Sequence, residues 1–203
     1  MLSDDMDKLI EKANILPLRY WDDPVLSTVC DKIEDNEFGS KLEEFGLELI
    51  ATMNDKNGVG LAAPQVGVAK RMFAMMFPDH EDMKPIVVCN PALQLKGRTV
   101  PAREGCLSLP GVFEQVYRAE EVWMQFQDPT GKAFEMPLLT PFDARVAQHE
   151  YDHLDGIMFF DYKDKRDQFV TEDFPTPRGA RMSKQLSKSV MREWEKVKKQ
   201  RGL

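Results

Sequence analysis

His149 and His153 stand four residues apart in the run Gln148-His-Glu-Tyr-Asp-His153, with Glu150 directly after the first of them. On a helix, positions i and i+4 share a face. Both imidazoles therefore reach one metal ion while the carboxylate projects beside it toward a metal-bound water. This is the chemistry of a hydrolase, in which an ion polarises the bond to be broken and a carboxylate moves the proton. A pattern as short as HExxH also arises by accident, as two hydrogen-bonded histidines on a surface helix, so neighbouring residues must carry the reading.

A catalytic ion of this kind takes three protein ligands and leaves one position for water. Two residues compete for the third place. Glu172, nineteen positions beyond His153, would complete the two-His, one-Glu set of the thermolysin-like zinc peptidases, but it lies in a polar stretch without period, where an acid is ordinarily solvated. Cys106, in Glu104-Gly-Cys-Leu-Ser108, lies in a glycine-bounded turn between two strand-like segments. The other thiols, Cys30 and Cys89, read as small buried apolar side chains.

The elements that must position these groups are visible as periodicities. From Gly39 to Met53 the residues Leu42, Phe45, Leu49, Ile50 and Met53 recur at spacings of three and four, which predicts an amphipathic helix with Ser40 near its cap. Thr140-Pro141 with Asp143 in the first turn starts a second helix, running to about Leu154 and closed by Gly156. Between them, strand-length segments are expected at Arg71–Phe77, Pro85–Cys89, Ala92–Val100, Val112–Tyr117, Glu121–Gln127 and Ala133–Leu138, the last two joined by the turn Asp128-Pro-Thr-Gly131. Ile15–Cys30, with Pro17 and Pro24, reads as an extended lead-in whose tail pairs with a sheet. The expected fold is α+β, mostly antiparallel sheets around a central metal-binding helix, with a C-terminal helix. The division is a catalytic domain over 1–162, a linker over 163–182 and a basic helix over 183–203, its stripe formed by Leu186, Val190, Trp194 and Val197.

Composition bounds the partners. In 203 residues, 27 Lys+Arg face 34 Asp+Glu, a net charge of -7 and the wrong sign for a surface that grips nucleic acid everywhere. The tail is the exception: residues 178–203 hold nine Lys+Arg and two Glu, leaving the remainder at -14. Three cysteines without CxxC spacing predict a reducing compartment. Acids in the first seven residues, and no apolar run of about 18 residues, predict a cytoplasmic protein without a membrane segment. A monomer is expected.

Three segments in order, Gly58-Val-Gly-Leu-Ala-Ala-Pro-Gln65, Glu104-Gly-Cys-Leu-Ser108 and Gln148-His-Glu-Tyr-Asp-His153, make the chain resemble a peptide deformylase over roughly residues 13 to 162. The resemblance implies Cys106, His149 and His153 as ligands of one divalent ion, by family habit Fe(II), with Zn, Ni or Co also able to occupy such a site. It implies a peptide bearing N-formylmethionine as substrate, and formate and a free amino terminus as products. Glu150 would move the proton, and the Gln65 amide and Leu107 backbone N–H would meet the developing oxyanion. Substrate contacts are expected at Val59, Gly60 and Gly105, with an extended peptide pairing along Val59 and Gly60 and the glycines letting backbone approach. Phe142 and Val146, one or two turns before the ligands, are expected to line a methionine pocket. Glu104 reads either as a buttress of the ligand turn paired with Arg118 or as a surface charge, Arg145 as facing the pocket rim or a carboxylate, and Asp152 as an acceptor for a ligand histidine or as solvated. The resemblance extends to ribosome docking through the basic C-terminal helix. A peptidase has no use for Glu104-Gly-Cys106, and a silent binding module has no need of Gln65 and Glu150 together.

Overall fold

The computed structural model describes residues 2–162 other than 79, 81 and 139, together with the isolated positions 195 and 199. The linker expected over 163–182 and nearly all of the basic helix expected over 183–203 lie outside the described residues.

Five strands form one antiparallel sheet in sequence order: β1 (Gly60–Ala62), β2 (Met72–Met75), β3 (Ile86–Cys106), β4 (Leu109–Gln127) and β5 (Ala133–Pro137). Three helices accompany it: α1 (Leu2–Lys12), α2 (Ser40–Asp55) and α3 (Pro141–Leu154). The α+β expectation holds.

α3 has the boundaries its sequence specifies. Thr140 caps it by accepting from the Asp143 N–H at 3.1 Å, Pro141 occupies the first turn, and Gly156 follows with φ +67°. A side chain at Gly156 would also press on the backbone of Ser27 and Thr28, so glycine is needed there twice over. Ala144, Ala147 and Leu154 of α3 pack on Phe73, Met75, Val88 and Met124 of the sheet. The buried Gln148 fixes the depth of docking, accepting from the Ala119 N–H at 3.0 Å and donating to the Ala119 carbonyl at 2.9 Å. Beneath the other part of the sheet, Leu49 and Met53 of α2 pack with Ile33, Leu61 and Met72. Each such side chain contributes about 1.5–3 kcal/mol of burial.

One expectation changes and two further elements are present. β3 and β4 are continuous ribbons of 21 and 19 residues rather than four short strands. The break expected at Asn90-Pro91 is absorbed as a register shift after Cys89, and a second shift follows Lys96. Asn90, at φ +49°, bonds through its side chain to both the N–H and the carbonyl of Ile33, each at 2.9 Å, which stabilises the left-handed backbone. The N-terminal segment and Gly60–Ala62, for neither of which the sequence predicts an element, form α1 and strand β1. The lead-in over 15–30 is extended with a short 3-10 turn at Pro24–Ser27, and its tail meets the sheet region only through one parallel bridge, Asp31 to Lys70.

Candidate active site and metal centre

The turn between β3 and β4 is only two residues long, Leu107-Ser108, with Cys106 opposite Leu109. That tightness sets the Cys106 sulfur at the tip of the ribbon, facing α3. Its Sγ lies 3.3 Å from His153 Nε2, and donor atoms of Cys106, His149 and His153 all fall within 4.8 Å of one another. Ligands of a tetrahedral ion of this size are spaced roughly 3.3–3.6 Å apart, so the group fits one ion with small adjustment. Among the described residues no other cluster of this type is present. Glu172 lies outside the described residues.

The three thiols differ as their surroundings require. Cys30 and Cys89 are buried, and burial pushes their pKa values up to about 11 and about 12. Cys106 is half-buried and faces the site. All three are free.

Both histidines are oriented by their neighbours. His149 Nδ1 lies 3.0 Å from Glu104 Oε2, which leaves Nε2 for an ion. Burial lowers the His149 pKa, but the Cys106 sulfur and the Glu104 carboxylate together raise it well above its ordinary value. Burial and the adjacent His149 hold His153 well below its own.

Glu104 is the hub. It accepts from Arg118 at 3.0 Å twice and from Arg145 at 2.5 Å, besides facing His149. Burial pushes its carboxyl up, yet Arg118, the hydrogen bonds and His149 outweigh this and hold it well below the carboxylate range. Arg118 continues to Asp152 at 2.5 Å, and Asp152 accepts from the Tyr162 hydroxyl at 2.7 Å. Asp152 is therefore neither solvated nor an acceptor for a ligand-position histidine, but a buried acceptor for Arg118 and Tyr162; the carboxylate behind His149 is Glu104.

Glu150 follows His149 on α3 and is 4% exposed, with Oε2 unpartnered. Burial pushes its pKa up to about 7, against the pull of His149 and Arg118. A Cβ at Gly60 would fall on this carboxyl, so the absent side chain in β1 is what gives Glu150 its space. Gln65 is fully buried in the 3-10 turn after β1. Its Oε1 accepts from Ala62 N–H at 2.8 Å, which aims Nε2 at Ser108 Oγ, 3.1 Å away, and at Cys106 Sγ, 3.4 Å away.

A cleft of about 430 Å³ opens over these groups. Val59, Gly60, Gly105, Leu107, Phe142 and Val146 all line it, as do Gln65, Cys106, His149 and Glu150, while His153 lies behind, 1% exposed. Sequence reasoning did not single out Ser108, Tyr162, Arg103 or Phe113. Ser108 was legible as the last residue of the second motif, whereas Tyr162 enters only through tertiary contact.

A donor set of one thiolate and two imidazoles, with a buried glutamate beside it and a cleft above, defines a hydrolase of the HExxH metal-binding class. Comparison with known proteins narrows the class. The family model for polypeptide deformylase matches residues 15–169. A peptide deformylase of Thermus thermophilus is 39% identical over 171 residues, covering 77% of this chain and 87% of the relative. Among solved structures, a peptide deformylase from Legionella pneumophila aligns at TM-score 0.75 and 29% identity over 93% of this chain and 98% of its own. A class I type b enzyme from Acinetobacter baumannii, solved with Met-Ala-Ser bound, aligns at TM-score 0.68 and 35% identity over 72% and 97%. The chain belongs to the polypeptide deformylase family.

Proposed function

We infer that the chain is a metal-dependent hydrolase that removes the formyl group from the N-terminal formylmethionine of newly made polypeptides, releasing formate. The observation that carries this is the convergence of Cys106, His149 and His153 beside Glu150, on the sequence pattern of the family. A divalent ion held by these three residues would supply a Lewis acid and lower the pKa of a nearby water. Iron is the metal proposed on family grounds; the donor set suits zinc, nickel or cobalt as well.

The chain's own residues do the rest. Glu104 holds His149 in one ring orientation. Glu150 takes the proton of the attacking water and hands it to the departing amine. A carboxyl with a pKa near 7 both accepts and returns a proton at neutral pH. Attack on the formyl carbon builds charge on its oxygen. The Gln65 amide, locked by Ala62 and Ser108, and the Leu107 backbone N–H donate to it; losing one such donor costs about 100- to 1000-fold in rate. The peptide lies extended beside Val59, Gly60 and Gly105, with its methionine side chain toward Phe142 and Val146.

The test is formate release from formyl-Met-Ala-Ser by anaerobically purified protein, with metal analysis on the same sample. Glu150→Gln should keep its metal and lose about 100-fold or more in turnover. Near-wild-type turnover by the metal-replete variant would overturn the assignment.

The catalytic domain proposed is 1–162, acting as a monomer in the cytoplasm, where formylated chains are made. The net charge of +7 over residues 178–203 supports a docking role on the ribosome for the basic segment 183–203, carried by the linker 163–182. Protein ending at residue 164 should keep peptide turnover and lose salt-sensitive co-sedimentation with ribosomes. Equal sedimentation of both forms would remove the role.

A further inference from the structure

The cleft carries one cation that the mechanism above leaves unused. Of the charged side chains lining it, Glu104 and Arg145 are bonded to each other and Glu150 is buried on the floor. Lys56 at the rim already pairs with Asp55 at 2.8 Å. Arg103 is exposed at the mouth, and among the described residues no carboxylate pairs with it. Its guanidinium lies instead over the ring of Phe113, 4.7 Å from the centroid. Phe113 is 52% exposed, a large apolar side chain kept at the surface next to the site.

Stacking on a ring holds a guanidinium flat and leaves its N–H edges open, the geometry that receives a carboxylate bidentately. The ring also reduces the rotamer freedom that an arginine loses on binding. Position along the strand gives the reach. Arg103 is three residues before Cys106 on β3, hence about 10 Å from the ligand turn at ~3.4 Å per residue. An extended peptide whose formyl carbon lies at the metal centre covers that distance at its third residue. Residues one and three of an extended chain point to the same side, and Arg103 lines the same cleft as Phe142 and Val146.

We propose that Arg103, held on Phe113, selects substrates with an acidic side chain at the third residue, counting formylmethionine as the first. This rests on the deformylase reading and specifies its substrate. The carboxylate could also be the free C-terminus of a tripeptide, so the test separates the two sources. Rates are compared for formyl-Met-Ala-Glu, formyl-Met-Ala-Gln and formyl-Met-Ala-Lys as C-terminal amides, and for the Gln peptide as its free acid. The intact enzyme should favour the Glu amide over the Gln amide by roughly 3- to 10-fold in kcat/KM, expressed in KM, with the Lys amide poorest. Arg103→Gln should bring the Glu-to-Gln ratio to about one, and Arg103→Lys should keep only part of it. Arg98→Ala, on the same strand away from the cleft, should leave the ratio as it is. Equal kcat/KM for the Glu and Gln amides, with turnover intact, overturns the proposal and leaves Arg103 as a cover for Phe113. A preference seen only with the free acid overturns it in favour of terminal-carboxylate binding. Absence of turnover on every formyl peptide removes the deformylase reading itself, and the proposal with it.

Discussion

β3 and β4 carry two arginine–glutamate pairs of the same chemistry in different solvents. Arg98 Nε lies 3.3 Å from Glu120 Oε1 with 85% of the arginine side chain exposed, whereas Arg118 meets Glu104 twice at 3.0 Å with 4% and 5% exposed. The outer pair keeps its hydration and is screened by salt, so it adds little. The inner pair has given up its water, and Coulomb attraction between two ions seldom exceeds that loss by itself. It persists because each ion has further partners: Arg145 and His149 on Glu104, Asp152 on Arg118. The difference teaches that the buried pair sets position more than stability. Through Glu104 it fixes the ring of His149, one of the three residues that could hold a metal ion.

Removing one ion from the inner network should have the largest effect. Arg118→Leu leaves the Glu104 and Asp152 carboxylates short of a buried counter-charge and should cost about 3–5 kcal/mol in urea unfolding. A cost under about 1 kcal/mol would erase the distinction between the pairs. Glu104→Gln keeps the shape but weakens the acceptor behind His149. Metal affinity, measured by competition with a chelator, should fall about 10- to 100-fold. If affinity is unchanged, Glu104 serves the fold and not the ligand. Tyr162→Phe removes a single hydroxyl from Asp152, which keeps Arg118, and should cost about 1 kcal/mol with metal content unaltered. Arg98→Ala should produce no measurable change in the unfolding midpoint at either low or high salt. A salt-dependent loss there would show that the outer pair is less screened than its exposure implies.

Where local rules decide structure, the sequence was readable. The Thr140 cap, Pro141 and Gly156 specify α3 within the chain segment itself, whereas the motif around Cys106 reads as a glycine-bounded turn and only strand pairing shortens that turn to Leu107-Ser108. The long ribbons were not readable, because Pro91 and Pro101 normally end strands and only cross-strand pairing carries β3 through them. Asn90 shows the reason: its left-handed backbone is stabilised by Ile33, 57 residues away. β1 has three residues, too few for any alternation to register. α1 was read only as acidic and lysine-rich. At the site, the group of Cys106, His149 and His153 with Glu150 beside it was legible through residue type and spacing, and the Glu104–Arg118 pair was one of two readings of Glu104. The partners of Asp152 were not, since Tyr162 reaches it only once the chain after α3 folds back. Arg103 and Phe113 read as an ordinary charge and an ordinary apolar residue until the ribbon sets one over the other.

Gly60 has a bearing on how this enzyme could escape an inhibitor. A molecule lying along the backbone of β1 rests on a surface whose only available change is the addition of a side chain. At Gly60 that addition collides with the carboxyl of Glu150, so a resistant variant would also disturb the residue proposed to move the proton. Gly58 is softer, because a Cβ there meets first the end of the Leu107 side chain, at 2.8 Å, which can turn away, and then the Gly60 carbonyl oxygen at 3.3 Å. Escape should therefore arise at Gly58 or at exposed rim positions such as Phe142 and Arg103, and compounds whose contacts end at Gly60 should meet resistance least often.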